Sequence, residues 1–288
     1  MSDASRLVAD LEPAALEQFV AMTLAEDLGE GGDVTSALTV PAEARLRAEI
    51  ATREDVVLAG IGLAEAFFRA TDPEVHIERL AEDGERLGAS AAILRIEGAG
   101  RAMLTAERSA LNTLQHLTGI ATLTRRYVDA IEGSGCTLLD TRKTLPGLRV
   151  IEKYAARAGG ASNHRMRLDD GMLIKDNHIA IAGSLEDAVR RAAQGGTGLE
   201  VQVEVDLIEQ IEPALKAGAE RLLCDNMGPE QLRQAVQLVD GRVPIEASGG
   251  ITLETIAAIA ATGVEFVSVG RITQSAPAAD IGFDYAQV

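Results

Sequence analysis

The sequence predicts an α/β protein whose C-terminal part is a parallel β-sheet covered by helices. Between residues 136 and 270, short apolar strands alternate with amphipathic helices, and most of these helices end in glycine. The strands are nearly continuous apolar runs, as expected for a parallel sheet that is covered on both faces. Six such strands in series favour a (β/α) barrel, and an open sheet is the alternative.

The first third of the chain contains helices and strands without this regular alternation. Residues 14–28 predict a helix, because their apolar side chains recur at helical spacing. The following stretch, EDLGEGGDVTS, contains three glycines and several charges and predicts a loop. LRAEIATREDVVLAG, VHIERL and AAILRIEG predict strands of an antiparallel or mixed sheet, with GLAEAFFRA as a helix among them. Residues 101–131 predict a long helix.

The C-terminal strands and helices follow one another with short links. The predicted strands are CTLLDT, MLIKD, LEVQVEV, RLLCDN, PIEAS and FVSVG. The predicted helices are RVIEKYAARA, SLEDAVRRAAQ, LIEQIEPALKAG, PEQLRQAVQLV and LETIAAIAATG. The two cysteines, Cys136 and Cys224, lie in apolar runs. We therefore expect buried thiols within strands and a reducing cytoplasm.

Composition excludes several classes of function. The 288 residues carry a net charge of −17, from 27 Lys and Arg against 44 Asp and Glu. An acidic protein of this kind is not expected to bind nucleic acid or an anionic membrane surface, since both require a basic face. The N-terminus does not resemble a secretory signal, and no run approaches the roughly 20 apolar residues of a membrane span.

One region opposes this acidic background. From Arg142 to Lys175 there are eight Lys or Arg and only three acids, a local balance of +5. Because the whole chain is acidic, this basic cluster predicts a site for a small anionic ligand.

Polar residues follow the end of each predicted C-terminal strand. In a (β/α) barrel the carboxyl ends of the strands meet at one rim, where the chemistry takes place. Arginine suits bidentate contact with carboxylates, while Glu204 and Asp225 suit Mg²⁺ together with ribose hydroxyls. The glycine turns after the last two strands suit a phosphate monoester. A polyanion, Mg²⁺ and a sugar phosphate together point to phosphoribosyl transfer. The strand-end residues are Thr141, Arg142 and Lys143; Lys175; Glu204; Asp225; Ser248, Gly249 and Gly250; and Gly270.

These residues also carry a resemblance to a known family. The motifs are EDLGEGGDVTS, ERSALNTLQHLTGIAT, DTRKTLPGLR, GGASNHRMRLDDGMLIKDNHI, VEVD, CDNM, EASGGI and GVEFVSVGRITQS. With them the chain resembles the quinolinate phosphoribosyltransferases, which are decarboxylating nicotinate-nucleotide pyrophosphorylases. The resemblance implies an N-terminal α/β sandwich domain over residues 1–112, joined by the tail 274–288, and an incomplete (β/α) barrel over residues 113–273, as in type II phosphoribosyltransferases. It also implies a homodimer with shared active sites, with a hexamer as an alternative assembly.

The implied reaction joins quinolinate to phosphoribosyl pyrophosphate and yields nicotinate mononucleotide, pyrophosphate and CO₂ in de novo NAD synthesis. Mg²⁺ would accompany phosphoribosyl pyrophosphate, and neither pyridoxal phosphate nor NAD would act as a cofactor. Lys175 would act through its charge rather than as a nucleophile. The four residues implied to be catalytic are Lys143, Lys175, Glu204 and Asp225, and the last two would also hold the metal.

The resemblance also implies the contacts of the substrates. Arg142, His164 and Arg165 match the residues around the quinolinate carboxylates, and Arg108 matches an arginine donated by the neighbouring subunit. Lys143 and Lys175 match lysines near the carboxylates and the pyrophosphate, and Thr141 belongs to the same substrate site. Glu204 and Asp225 match acids near the ribose and Mg²⁺. The turns that match the 5-phosphate loops consist of Ser248, Gly249 and Gly250, with Val269, Gly270 and Arg271.

One position departs from the family pattern, and four alternatives stay open. Gln274 stands where the family usually has histidine, and glutamine cannot carry charge. The alternatives are a related molybdenum-locus protein with another substrate, a nicotinate phosphoribosyltransferase without decarboxylation, a Schiff-base aldolase that uses Lys175, and a non-catalytic barrel. Intact NHR and LIKDNH motifs argue against the first, and the polar neighbours of Lys175 argue against the third.

Overall fold

A computed structural model describes residues 13–287 of the chain. By contacts between residues, the chain divides into two compact units. One contains the described residues up to Thr124, together with Val150–Gly160 and the described residues from Ser275 onward. The other contains Arg125–Arg149 and Ala161–Gln274. The predicted domain boundaries at residues 112 and 273 stay a prediction.

The first unit is built on a four-stranded antiparallel sheet. The strands of the whole unit are β1 (Arg45–Thr52), β2 (Val56–Val57), β3 (His76–Arg79), β4 (Arg86–Leu87), β5 (Ala92–Ala99) and β12 (Ile281–Gln287). The order is β12-β1-β5-β3, and β2 and β4 form a separate two-stranded ribbon. Alternation along β1 buries Ile50 on one face, while Arg47 on the other face pairs with Glu97 of β5 at 2.7 Å. One face of the sheet is therefore apolar and the other is charged.

Helices cover the apolar face of this sheet. Phe67 and Phe68 are fully buried, Phe19 meets Phe67 edge to face, and Phe68 stacks on Phe283 of β12. The apolar spacing seen in the sequence therefore brings these helices into one core with the sheet. The helices with residues in this unit are Pro13–Leu28, Val34–Thr39, Ile61–Thr71, Gly100–Ala130 and Arg149–Ala158.

The second unit contains a six-stranded parallel sheet. Its strands are β6 (Thr137–Leu139), β7 (Met172–Ile174), β8 (Val201–Val205), β9 (Arg221–Asp225), β10 (Ile245–Ser248) and β11 (Phe266–Ser268). Each predicted apolar run forms one of these strands, and all five residues of β8 are buried. The helices of this unit are Asp176–Ala182, Leu185–Gln194, Ile211–Ala217, Pro229–Val239, Ile256–Ala260 and Arg271–Gln274.

The strand order is β6-β11-β10-β9-β8-β7. Every strand in this order lies beside its neighbour in the chain, except that β6 and β7 are at opposite edges of the sheet. This is the circular order of a (β/α) barrel opened between its first and second strands. The predicted fold class, an N-terminal α/β sandwich domain with an incomplete C-terminal (β/α) barrel, is confirmed.

The segment of residues 161–165, which we call the gap segment, lies along the free edge of β6. Ser162 forms a parallel bridge with Leu139, its N–H donates to the Leu138 carbonyl at 2.9 Å, and its carbonyl accepts the Asp140 N–H at 3.2 Å. The gap segment therefore continues the sheet beyond β6 by backbone hydrogen bonds.

Two sequence expectations were wrong, and one helix was missed. The EDLGEGGDVTS stretch is not only a loop, because a helix begins at Val34, where the Asp33 carboxylate caps it by accepting the Ser36 N–H at 2.9 Å. The helix Asp176–Ala182 was not predicted, since seven residues give too short an apolar pattern. Cys224 is buried within β9 as expected, but Cys136 is half-buried and precedes β6.

Among the described residues, none of the helices combines the length and the apolar character that crossing a membrane requires.

Candidate active site

The predicted site residues of the second unit lie side by side at the carboxyl ends of adjacent strands. Parallel register places Asp225 at the end of β9 next to Ser248 at the end of β10. The same register places Ser268 of β11 next to Leu139 of β6. One rim therefore presents, in strand order, Lys175, Glu204, Asp225, the Ser248–Gly250 turn, the Val269–Arg271 turn and the Thr141–Lys143 stretch.

Three carboxylates meet at one part of this rim. Glu204, Asp206 and Asp225 each offer an oxygen within 4.8 Å of the others. Carboxylate oxygens are the ligands preferred by a hard divalent cation such as Mg²⁺, so this donor set fits the metal implied by the sequence. Asp206 was missing from the predicted ligands. The VEVD motif contains the signal, because side chains two residues apart on a strand lie on the same face.

Lys175 compensates part of this negative charge. Its ammonium group forms an ion pair with the nearly buried carboxylate of Glu204. Burial raises the pKa of Asp225; Lys175 opposes the shift and Asp206 adds to it, so the pKa of Asp225 lies above its ordinary value. Since the ionised acid is disfavoured here, a bound cation would relieve the repulsion within the cluster.

Arg142 and Arg165 form the basic part of the site. The Nε of Arg142 is buried and has no hydrogen-bond partner in the described part of the protein. Arg165 donates to the Gly171 carbonyl at 2.9 Å. Burial and, next, the charge of Arg142 lower the pKa of Arg165. Two guanidinium groups close enough to repel each other provide a binding place for a dianion.

Asp140 holds the gap segment in place beneath these arginines. It is fully buried, and its carboxylate accepts the backbone N–H of His164 at 2.8 Å and the side-chain amide of Asn163. A buried carboxylate with two strong donors fixes the loop rigidly. Sequence reasoning missed Asp140 because it reads as the last residue of an apolar strand.

The glycine turns require glycine for steric reasons. At Gly249, φ is +93°, and a Cβ would lie 2.2 Å from Oδ1 of Asn226. At Gly270, a Cβ would lie 2.7 Å from Cδ of Lys143. The side chain of Lys143 therefore lies directly against the backbone of the second turn. The hydroxyl of Thr273 also donates to the Lys143 carbonyl at 2.7 Å, which fixes the stretch after β6 to the helix Arg271–Gln274.

The remaining predicted residues are less enclosed or lie elsewhere. The hydroxyl of Thr141 accepts the N–H of Lys143 at 3.0 Å, whereas Val269 is buried. Arg271 and Gln274 are exposed. Arg108 is exposed on the helix Gly100–Ala130 and belongs to the first unit. Its expected contribution to a neighbouring subunit stays a prediction.

Comparison with known proteins identifies the family. Residues 33–118 match the model of the quinolinate phosphoribosyl transferase N-terminal domain, and residues 120–284 match that of the C-terminal domain. The chain belongs to the quinolinate phosphoribosyl transferase family. The resemblance noted in the sequence is thereby confirmed.

Individual relatives agree over almost the whole length of the chain. A Mycobacterium leprae protein named nicotinate-nucleotide pyrophosphorylase (carboxylating) is 42% identical, over 96% of this chain and 100% of that protein. The structure of the nicotinate-nucleotide pyrophosphorylase from Francisella tularensis has a TM-score of 0.91 at 39% identity, covering 96% of this chain and 98% of that one. The structure of NadC from Streptococcus pyogenes has a TM-score of 0.90 at 37% identity, covering 96% and 99%. These relatives favour the phosphoribosyltransferase interpretation and give no support to a molybdenum-locus protein or a non-catalytic barrel.

Proposed function

We propose that this protein transfers the phosphoribosyl group of phosphoribosyl pyrophosphate to quinolinate, in the de novo synthesis of NAD. The products would be nicotinate mononucleotide, pyrophosphate and CO₂. The observation that supports this most is the sharing of one rim by a dianion site, an acid cluster and two glycine turns. Each of these suits one part of the two substrates, as follows.

Quinolinate would bind at the basic part of the rim. It is a pyridine with two adjacent carboxylates, and Arg142 and Arg165 supply two guanidinium groups that repel each other until a dianion lies between them. His164 precedes Arg165 in the gap segment and belongs to the same site. This arrangement would favour the diacid over nicotinate, which has one carboxylate.

Phosphoribosyl pyrophosphate would lie across the rest of the rim. Its 5-phosphate would meet the turns Ser248–Gly250 and Val269–Arg271, where close approach of the backbone is possible because the turns contain glycine. Lys143, which lies against Gly270, would meet the pyrophosphate, with Thr141 beside it. The ribose would face Glu204 and Asp225.

Glu204, Asp206 and Asp225 would hold Mg²⁺. When bound, the cation would neutralise charge that develops on the leaving pyrophosphate. Lys175 would share this task. Its ion pair with Glu204 suits an electrostatic role and not a nucleophilic one.

The reaction would then proceed in two parts. The pyridine nitrogen forms a bond to C1 of the ribose while the bond from C1 to the pyrophosphate oxygen breaks. The positive charges of Lys143 and Lys175 stabilise the leaving pyrophosphate. The alkylated nitrogen is cationic, so when the adjacent carboxylate leaves as CO₂ the electron pair of the broken bond is stabilised beside it. A proton then takes the vacated carbon position.

We also propose that the protein works in the cytoplasm as a homodimer with shared sites. Arg108 is exposed in the first unit and would reach the quinolinate of the partner subunit. A reducing compartment agrees with thiols that are not reactive, since burial raises the pKa of Cys224 to about 12 and that of Cys136 to about 11. Analytical ultracentrifugation would distinguish the dimer from a hexamer of three dimers.

Product analysis tests the reaction. The purified protein would be incubated with phosphoribosyl pyrophosphate, Mg²⁺ and either quinolinate or nicotinate. We expect nicotinate mononucleotide and one CO₂ per turnover from quinolinate, and no product from nicotinate. Turnover of nicotinate would contradict the assignment of the basic cluster, and turnover of neither acid would contradict the proposed function.

Mixing of variants tests the shared site. Arg108→Ala and Lys175→Ala should each be nearly inactive. When equal amounts are mixed and the subunits exchange at random, half of the dimers are mixed and one of the two sites in each contains both intact residues, so activity should return at about a quarter of all sites. Mass spectrometry would monitor the exchange of subunits. If mixed dimers form and no activity returns, the placement of Arg108 across the subunit boundary is wrong.

A further inference from the structure

A second polar layer lies inside the parallel sheet, below the rim. Gln202 of β8 is two residues before Glu204, and Glu246 of β10 is two residues before Ser248. Because side chains two apart on a strand share a face, these residues face the same side of the sheet as the rim residues above them. None of the roles proposed above uses this layer.

Glu246 is the centre of the layer. Its Oε2 accepts hydrogen bonds from Nε2 of Gln202 at 2.8 Å and from Nη2 of Arg221 at 3.0 Å. The side chain of Glu246 is 1% exposed. The guanidinium of Arg221 lies over the ring of Phe266, 4.0 Å from its centroid. A buried ion pair contributes no more to stability than apolar side chains of similar volume, so stability alone does not account for charges here.

The same carboxylate oxygen lies 3.3 Å from Nε2 of His164. The other ring nitrogen, Nδ1, accepts the backbone N–H of Arg165 at 2.8 Å. Since Nδ1 accepts, the proton of the neutral ring is on Nε2, which donates to Glu246. The imidazole therefore connects the buried carboxylate to the backbone of the arginine next to it.

Glu246 is suited to be this acceptor because it stays ionised. Burial raises its pKa most strongly, but the bond from His164 and the charge of Arg221 act in the opposite direction, and together these interactions hold the pKa of Glu246 below its ordinary value. A carboxylate with a full charge fixes both the tautomer and the plane of the ring that donates to it.

We propose that Glu246 is a positioning residue for acceptor binding. It holds His164, whose ring fixes the backbone at Arg165, and so sets where the Arg165 guanidinium meets the acceptor beside Arg142. The inference rests on the proposed function, since it concerns the binding of quinolinate. Glu246 itself does not contact the substrates.

Kinetics of Glu246→Gln test the proposal. We expect KM for quinolinate to rise about 10–100-fold, as is typical when the partner of a site residue is removed, while KM for phosphoribosyl pyrophosphate changes less than about twofold. Gln202→Leu is the matched control, because it disturbs the same buried layer and leaves the carboxylate facing His164. Equal KM values in wild type and a folded Glu246→Gln would overturn the proposal, as would equal rises in the two variants.

Coupling to His164 separates positioning from a general loss of structure. In a His164→Asn background, Glu246→Gln should add less than about twofold to KM for quinolinate, while its effect on Tm persists. A full further rise would contradict action through His164. If Glu246→Gln does not fold, the double variant Arg221→Met/Glu246→Gln removes both charges together and takes its place in these measurements.

The wild-type enzyme offers a test that does not depend on folding of any variant. With ¹⁵N-labelled histidine, the resonances of His164, identified from their loss in His164→Asn, should show a protonated Nε2 and an unprotonated Nδ1 near pH 8. The opposite tautomer would overturn the inference. Absence of turnover by wild type would count against the proposed function, whereas an unaltered KM in an active Glu246→Gln would count against this inference alone.

Discussion

Strands that end in charged side chains and strands that end in glycine turns occupy different parts of the same rim. At β7, β8 and β9 the rim consists of Lys175 and three carboxylates, which would act through charge. At β10 and β11 it consists of two turns, which would act through backbone N–H groups. The end of a strand can therefore present to a ligand either a charged side chain or the N–H groups of the backbone. The charged part should respond to loss of charge, and the glycine part to gain of a Cβ.

The largest effect is expected at the charged part. Glu204→Gln keeps the shape of the side chain and removes the charge that pairs with Lys175 and would face the proposed Mg²⁺. Steady-state kinetics with quinolinate, phosphoribosyl pyrophosphate and Mg²⁺ should show kcat/KM lower by about 1,000-fold. Glu230→Gln, an exposed glutamate of the same unit, is the control and should behave as wild type. A loss smaller than tenfold would contradict the comparison.

At the glycine part, a single methyl group should be harmful. Gly249→Ala would place a Cβ 2.2 Å from Oδ1 of Asn226 and shift the turn. We expect KM for phosphoribosyl pyrophosphate to rise about 100-fold, because displacement of a binding group by about 1 Å costs this much. Gly241→Ala has a similar positive φ of +70° and open space around it, so it reports backbone strain alone. Equal effects on KM in the two variants would show that the turn does not bind the phosphate.

The arginine site should depend on shape as well as charge. Arg142→Lys keeps the positive charge and loses the planar, bidentate geometry, so KM for quinolinate should rise about tenfold. Arg233→Lys on the exposed surface is the matched control. If Arg142→Lys binds quinolinate as wild type does, charge alone is sufficient and the expectation of bidentate contact is wrong.

Loss of one carboxylate from the acid cluster should increase the thermal stability of the protein and weaken its response to Mg²⁺. Burial raises the pKa of Asp225, so ionisation of this carboxylate lowers the free energy of unfolding at neutral pH. The loss disappears as the pH falls through the raised pKa and the carboxylate becomes protonated. Asp225→Asn should therefore increase Tm without Mg²⁺ by about 2–4 °C, as measured by thermal unfolding at pH 7. Addition of Mg²⁺ should stabilise wild type and not the variant. A lower Tm for Asp225→Asn would show that the carboxylate is already well compensated.

The smallest effect is expected at Gln274. Its side chain is exposed at the end of the helix Arg271–Gln274, so Gln274→His should change the rate at pH 8 by less than about threefold, as exposed substitutions usually do. Because histidine titrates near pH 6.5, the pH profile of the variant should differ from that of wild type around and below neutrality. Identical pH profiles would mean that the charge of a histidine at position 274 does not influence the reaction.

The sequence predicted the rim better than the interior beneath it. Lys175, Glu204 and Asp225 could be found because a charge that interrupts an apolar run is a local signal, and parallel strands bring such charges to one edge. Asp140 and Glu246 could not be found in this way. Asp140 ends one apolar run and Glu246 stands inside another, but their importance depends on donors from distant parts of the chain, namely the gap segment and Arg221, which the local pattern does not show.

Among the elements, the strands and long helices follow from apolar spacing, whereas short elements depend on caps and tertiary contacts. The helix that begins at Val34 depends on the Asp33 cap within a glycine-rich stretch. The barrel is open between β6 and β7 because these strands lie at opposite edges of the sheet. Local sequence patterns do not encode the order of strands, so the position of this opening could not be predicted. Cys136 was misplaced for a related reason, since an apolar neighbourhood does not determine where a strand begins.

The gap segment has a consequence for how such enzymes change over time. His164 and Arg165, two of the residues proposed to bind the acceptor, lie in a short contiguous stretch that backbone hydrogen bonds attach to the edge of one strand. Backbone bonds tolerate replacement of side chains, so the side chains of this stretch would be replaceable while its attachment to β6 and the six strands stay unchanged. On the proposed function, an open barrel is in this sense modular: changes within one short segment would alter which acceptor binds, without rebuilding the parallel sheet.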